Sequence, residues 1–197
     1  MGVERAGISR RNQILERAAE LFAERGFHGV SVHDVGAACG ISGPALYRHF
    51  SSKDAMLAEM LVAISERLLD VGRARVLESP DASSALTALI GWHTEFALTN
   101  RSLIVVQDRD WASLPEHARE RVRALQTSYV ALWVTQQQQL WPSLNRRTAE
   151  AAAHAVFGLL NSTPHSARIP PPRMRTLLES MARAALEAAG GSRVNGR

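Results

Sequence analysis

The sequence of 197 residues contains a single cysteine, Cys39, and a single lysine. One thiol excludes an internal disulfide and any metal site built from several cysteines. We expect Cys39 to be a small buried side chain at a helix end, and a redox-sensing thiol is the alternative. No apolar run approaches the roughly 18 residues of a membrane span. The first residues, MGVERAGISRRNQ, lack the apolar stretch of a signal peptide, so we expect a cytoplasmic protein with no membrane partner.

Sequence motifs of enzyme chemistry are also missing. The histidines show neither HExxH nor another paired metal-ligand spacing, and no serine has the context of a nucleophile elbow. The cluster QDRD at residues 107–110 is more typical of an ion-paired helix end than of a catalytic site. There is no alternating strand pattern and no glycine-rich phosphate loop. We therefore expect an all-α protein that is not an enzyme and needs no cofactor or metal.

Residues 26–53 instead carry the pattern of two short helices joined by a tight turn. Ser31, with Asp34 three residues on, is typical of a capping box that begins a helix. Gly40 can take the left-handed conformation that ends it. Ser42 can cap the second helix, and Pro44 falls in its first turn, where a missing N–H costs nothing.

The second short helix has one apolar side and one side suited to DNA. Leu46 and Phe50 lie four residues apart and are expected to face inward. Small residues at the helix start let the backbone approach a major groove, and Arg48 is the candidate for reading a guanine. We expect base-edge or thymine-methyl contacts from the small residues and phosphate contacts from the other polar ones. The predicted DNA contacts are Ser31, Ser42, Gly43, Pro44, Ala45, Tyr47, Arg48, His49 and Lys53.

The charged residues permit a polyanionic partner, with a net charge of +4 and a pI near 10.2. The sole lysine, Lys53, opens the next helix, where its ammonium and the helix N-terminus would hold a phosphate. Chance placement of the only lysine is the alternative. Residues 1–9 are expected to form a flexible arm, and Arg5, Arg10 and Arg11 would touch phosphates or a minor groove, or else remain solvated.

The segment GISGPALYRHFSSKDAML resembles the signature of the tetracycline-repressor (TetR) family of bacterial regulators. The close match covers roughly residues 10–57, about a quarter of the chain. The resemblance implies an N-terminal three-helix helix-turn-helix DNA-binding domain, residues 1–52, and a C-terminal helical ligand-binding and dimerisation domain, residues 53–197. It further implies a repressor that a small effector releases from its operator. An activator, a regulator that needs a co-repressor, and a DNA-architectural protein without a ligand are the alternatives.

The helices beyond residue 53 supply candidates for the dimer interface. The helix that begins near Ser51 continues to about Leu77 and would act as the lever between ligand and operator. The last two long helices carry much apolar surface, and two DNA half-sites call for a two-fold homodimer. Packing on the core of a monomer is the alternative. The predicted interface residues are Ala152, Val156, Leu160, Leu177, Leu178 and Met181.

Aromatic residues suggest where an effector would bind. All four tryptophans lie in or beside residues 83–163, and aromatic side chains can line an apolar cleft as well as fill a core. A hydrophobic ligand with one polar end is expected. Loose similarity of the C-terminal half to family members that govern lipid catabolism favours a fatty-acyl or acyl-coenzyme A ligand. The candidate ligand contacts are Trp92, His93, Phe96, Gln107, Arg109, Trp111, Tyr129, Trp133, Phe157 and Asn161.

Overall fold

The structure, a computed structural model, describes residues 10–191. The predicted N-terminal arm, residues 1–9 with Arg5, lies outside the described residues, as do residues 192–197. Within the described range the chain forms helices and no strand, which confirms the predicted all-α class. None of these helices has the combined length and apolarity that crossing a bilayer requires. The helices are α1 (Arg10–Arg25), α2 (Val32–Ala38), α3 (Gly43–Tyr47), α4 (Lys53–Leu77), α5 (Ala82–Thr99), α6 (Arg101–Asp110), a 3-10 turn (Trp111–Ser113), α7 (Glu116–Leu140), α8 (Arg146–Leu160), α9 (Thr163–Ser166) and α10 (Pro171–Gly191).

Local sequence signals place the first three helices as predicted. α1 ends at Gly26, which has a φ of 80°, and Gly40 turns the chain after α2 with a φ of 65°. Ser31 and Asp34 form a complete capping box, in which the Ser31 hydroxyl accepts from the Asp34 N–H at 3.1 Å. The Ser42 hydroxyl accepts from the Ala45 N–H at 3.4 Å and caps α3. These caps satisfy backbone groups that short helices otherwise leave unpaired.

The chain divides into two compact units, and the division differs from the predicted boundary after residue 52. The N-terminal unit contains the residues up to Ala63 together with Ser102–Arg121, and the C-terminal unit contains Ile64–Arg101 and the residues from Val122 onward. The first turns of α4 belong to the N-terminal unit because Lys53 and Glu59 bond back to earlier residues. The sequence motif ends near residue 52, but the N-terminal unit continues to Ala63 and also includes Ser102–Arg121.

Side chains that bond to main-chain carbonyls hold the N-terminal unit together. The Lys53 ammonium donates to the carbonyls of Phe27 at 2.7 Å and Val30 at 2.8 Å. The Arg109 guanidinium at the end of α6 donates to the carbonyls of Phe22 and Ala23, the latter at 3.1 Å. The Phe22 and Ala23 carbonyls lie in the last turn of α1, and the Phe22 carbonyl also accepts from the Gly26 N–H at 2.9 Å. Residues 102–121 therefore pack with the helix-turn-helix.

The C-terminal unit is built from α5, α7, α8 and α10 with the second half of α4. The Thr163 hydroxyl donates to the Ala97 carbonyl at 2.6 Å, which ties the chain after α8 to α5. The Gln137 amide donates to the Ala149 carbonyl at 3.1 Å and ties α7 to α8. A Cβ at Gly72 would lie 2.7 Å from Cε2 of Tyr129, so α4 can approach α7 this closely only at a glycine.

Replacing Lys53 by alanine should destabilise the N-terminal unit. The change removes two charge-assisted hydrogen bonds to carbonyls, and we expect a loss of about 1–3 kcal/mol in the free energy of unfolding. Urea unfolding followed by circular dichroism measures it. Arg48→Ala is the matched control, because this exposed cation on α3 should change stability by less than about 0.5 kcal/mol. Equal stability of the two variants would show that the Lys53 contact contributes nothing.

Candidate nucleic-acid interface and effector site

The exposed side of α3 carries most of the predicted DNA contacts. Leu46 is 0% exposed and Phe50 is 2% exposed, so the predicted apolar side of this helix is buried. Tyr47 is 56% exposed, although it is a large aromatic residue, and Arg48 beside it is exposed as well. A Cβ built at Gly43 would meet no atom within 4 Å. The start of α3 is therefore open, and aromatic and cationic groups stand beside it.

Ser31 and Lys53 are less free to bind phosphate than the sequence suggested. The Ser31 hydroxyl donates to the Asp34 carboxylate at 2.5 Å, and these hydrogen bonds lower the pKa of Asp34. A carboxylate that stays ionised disfavours a phosphate beside Ser31. The Lys53 ammonium also lies 4.3 Å from the centroid of the Phe27 ring, and two of its three N–H groups are engaged. One N–H remains for the predicted phosphate contact.

The arginines at the start of α1 are engaged with the same unit. Arg10 donates to the Cys39 carbonyl at 2.5 Å. The Arg11 guanidinium forms a two-point ion pair with Glu59 of α4 and also donates to the His49 carbonyl. Cys39 is half-buried and not fully buried as expected, and this partial burial raises the pKa of its thiol, which disfavours a reactive thiolate. Arg10 and Arg11 therefore stabilise the packing around α3, through contacts with Cys39, His49 and Glu59.

An aromatic cluster surrounds His93 in the C-terminal unit. The His93 ring stacks on Phe157 with centroids 4.9 Å apart and on Tyr129 at 5.7 Å. Phe96 and Trp133 meet its edges at 5.8 Å and 6.2 Å. His93, Phe96, Tyr129 and Trp133 are buried, whereas Phe157 is partly exposed. We call these five residues and Asn161 the His93 cluster.

Hydrogen bonds fix the protonation of His93. Its Nε2 lies 3.1 Å from Oδ1 of Asn161, an acceptor, so Nε2 carries the proton. Its Nδ1 lies 3.3 Å from the Tyr129 hydroxyl and accepts from it. Burial lowers the pKa of His93 to about 4 and raises the pKa of Tyr129. Both rings are therefore uncharged at neutral pH, and the interior of the cluster carries no charge of its own.

The structure does not bring all the predicted ligand contacts into this cluster. Gln107, Arg109 and Trp111 belong to the N-terminal unit, and the Arg109 guanidinium is used on carbonyls of α1 and on Asp110 at 3.2 Å. The Trp92 indole donates to the Leu68 carbonyl at 3.2 Å and so packs on α4. Sequence reasoning also missed Gly72. Its signal was a lone glycine in an otherwise regular helical pattern.

Half of the predicted dimer interface is internal to the chain. Val156 and Leu178 are each 1% exposed and Leu160 is fully buried, so these positions are wrong. They form the core of their own chain because α8 and α10 pack on each other. Leu177 and Met181 are each 46% exposed, which is unusual for large apolar residues. We call them and their exposed small neighbours the outer face, which comprises Ala151, Ala155, Gly158, Leu177, Met181, Ala184, Ala185 and Ala188.

Two family models match the chain, one in each half. Residues 14–60 match the model described as bacterial regulatory proteins, tetR family. Residues 79–165 match the model described as the tetracyclin repressor-like C-terminal domain. The first match contains α2 and α3 with their caps, and the second contains the whole His93 cluster. Both predicted halves therefore have family counterparts.

Relatives and solved structures agree with these matches. The transcriptional repressor KstR2 of Rhodococcus jostii is 32% identical over 126 residues, which are 64% of this chain and 62% of that protein. The chain thus matches less than two thirds of the length of that relative. A TetR-family regulator from Bordetella parapertussis has a TM-score of 0.77 and 27% identity, with 95% of this chain and 97% of that chain covered.

A second solved structure shows the same fold with ligands bound. AibR, solved in complex with isovaleryl coenzyme A and operator DNA, has a TM-score of 0.68 and 20% identity. The likeness covers 88% of this chain and 97% of that chain. From the two family models, the relative and the solved structures, the chain belongs to the TetR family of bacterial regulatory proteins.

Proposed function

We propose that the protein is a homodimeric repressor that binds operator DNA and releases it when a small apolar ligand binds. The observation that supports this proposal best is the exposed side of α3, with Tyr47 and Arg48 held outward on a helix whose other side is buried. A short, rigidly seated helix of this kind can enter a major groove. A bacterial protein that acts on operator DNA works in the cytoplasm.

We infer a dimer because α3, the helix assigned to the major groove, is short. α3 spans five residues and can read only a few base pairs, so specificity calls for two half-sites about one helical turn apart. The outer face of α8 and α10 is the surface that we assign to the second copy. Its alanines and Gly158 let helices approach closely, and Leu177 and Met181 supply the large side chains that a buried interface centre requires.

The effector is an apolar molecule with a polar group, and an acyl thioester is our first candidate. AibR is named for a complex with an acyl coenzyme A, and the R. jostii relative is named a repressor. The His93 cluster offers aromatic rings and a few polar atoms, the composition typical of small-molecule sites. α4 runs unbroken from Lys53 to Leu77 and takes part in both units. Ligand binding would shift the population of dimers away from the spacing that fits DNA.

Arg48→Ala should weaken operator binding by roughly 1–3 kcal/mol and relax the base preference at one position in each half-site. Selection of DNA from a random duplex pool, followed by affinity measurements on the selected sites, gives both quantities. Tyr47→Phe is the comparison variant. It removes only a hydroxyl assigned to phosphate, so all sequences should weaken alike. An Arg48→Ala protein that selects the same sites as the wild type would exclude Arg48 as a base contact.

The double change Leu177→Glu and Met181→Glu should split the dimer without unfolding the chain. Both side chains are exposed in one copy, but in a dimer they would bury unpaired carboxylates at a cost of several kcal/mol. Sedimentation at micromolar concentration should show a folded monomer with weak operator binding. Leu77→Glu, at a residue 87% exposed near the end of α4, should leave the dimer intact. A stable dimer of the double variant would show that the dimer interface lies outside this face.

A further inference from the structure

One side chain of α1 contacts the chain just beyond the end of α3. The Arg11 guanidinium donates through Nη1 to the carbonyl of His49, which follows Tyr47, the last residue of α3, by two positions. The guanidinium also lies 4.2 Å from the centroid of the Phe50 ring, which is buried. Carbonyls at and beyond a helix end have no partner within the helix, and here Arg11 supplies one. Arg11 thus holds both main chain and side chain at the end of α3.

Glu59 of α4 fixes the orientation of this arginine. Nε of Arg11 donates to Oε1 of Glu59 at 2.6 Å, and Nη2 donates to Oε2. Two parallel hydrogen bonds define the plane of the guanidinium as well as its position. Because Nη1 donates to the His49 carbonyl at the same time, one planar group joins α1, α4 and the end of α3. A lysine could not replace it, since an ammonium is a point charge on a flexible stem.

These contacts leave Arg11 poorly suited to bind phosphate. Three of its five N–H groups are used within the chain. The Glu59 carboxylate neutralises its charge, and a DNA phosphate beside the pair would be repelled by that carboxylate. Arg11 is therefore better placed to hold α3 than to contact DNA itself.

We propose that Arg11, held by Glu59, is a positioning residue for sequence recognition, which sets where α3 and its Arg48 lie against DNA. The proposal rests on the proposed function and names a pair of residues that determines specificity without contact to DNA. Arg48 directly precedes His49, so a shift of the His49 main chain displaces the Arg48 side chain as well. Groups that recognise a partner have to be held within about 0.5 Å of the productive geometry. The pair therefore acts on binding to the selected operator and not on the general attraction to phosphates.

Two conservative substitutions separate positioning from phosphate binding, because the two roles predict different results. Arg11→Lys keeps the positive charge and would preserve a phosphate contact, but it loses the planar contact with Glu59 and His49. Glu59→Gln removes a negative charge and frees Arg11, so it would strengthen DNA binding if Arg11 bound phosphate.

We expect each variant instead to bind the selected operator about ten-fold more weakly than the wild type. Affinity for a random duplex of equal length should change by less than about two-fold, because the phosphate contacts remain. Fluorescence anisotropy of labelled duplexes measures both affinities, at a temperature at which circular dichroism shows that each variant is fully folded. The ratio of the two affinities is the readout, since a loss of stability alone would not change it.

The pair formed by Arg17 and Glu20 on the same helix supplies matched controls. These side chains bond to each other within α1, and both are about half exposed. Arg17→Lys and Glu20→Gln should leave the ratio of operator to random-duplex affinity unchanged, to within about two-fold. The double variant Arg11→Lys with Glu59→Gln should bind the operator about as weakly as each single variant, because residues that act as one unit are not additive.

Two results would overturn the proposal. One is operator binding by Glu59→Gln that equals or exceeds that of the wild type, and this variant decides alone if Arg11→Lys does not fold. The other is an equal loss of affinity for operator and random duplex, which would show a general electrostatic contribution. A wild type that selects no sequence would overturn the proposed function as well. A wild type that selects an operator, with variants that bind it equally tightly, would overturn the positioning role alone, so the two failures are distinguishable.

Discussion

The C-terminal unit depends on the burial of His93, because the side chains around this ring must replace the water that it loses. A buried imidazole is stable only when it is neutral and both nitrogens are paired, and here Tyr129 and Asn161 pair them from α7 and from the end of α8. The aromatic rings that exclude water also fix the spacing of three helices. Gly72 extends this constraint to α4, since any side chain there would collide with the Tyr129 ring. Residues of α5, α7 and α8 therefore meet around His93, and α4 packs on the neighbouring Tyr129 ring.

The N-terminal unit depends on another kind of contact, between cationic side chains and backbone carbonyls. Lys53 bonds to the loop after α1, Arg109 to the last turn of α1, and Arg11 to the carbonyl of His49 and to Glu59. Such bonds hold short helices in place where a small apolar core alone gives limited stability. Because α4 and α6 provide Lys53 and Arg109, their positions and that of α3 are linked through ordinary packing and hydrogen bonding.

The sequence predicted features that depend on neighbouring residues. The capping box at Ser31, the left-handed Gly40, the buried side of α3 and the helix order all follow from signals within a few positions. Contacts between distant residues were not predictable. Lys53 and Arg109 look like free cations in sequence, because the carbonyls that they bind lie 23 to 87 residues away. Helical periodicity also shows that α8 and α10 have apolar stripes, but it cannot show which stripe faces the chain's own core. Val156 and Leu178 were therefore assigned to the wrong side.

The engaged state of Lys53 has a chemical consequence for the reaction of this chain with acylating compounds. Thioesters transfer their acyl group to uncharged amines, and exposed lysines are the usual side-chain acceptors. This chain has only one lysine, and its ammonium is engaged by two carbonyls and an aromatic ring. Arginine, which supplies the other 22 of its 23 Lys and Arg side chains, does not lose its proton in proteins. The basic side chains of the molecule thus offer no free amine that an acylating compound could modify.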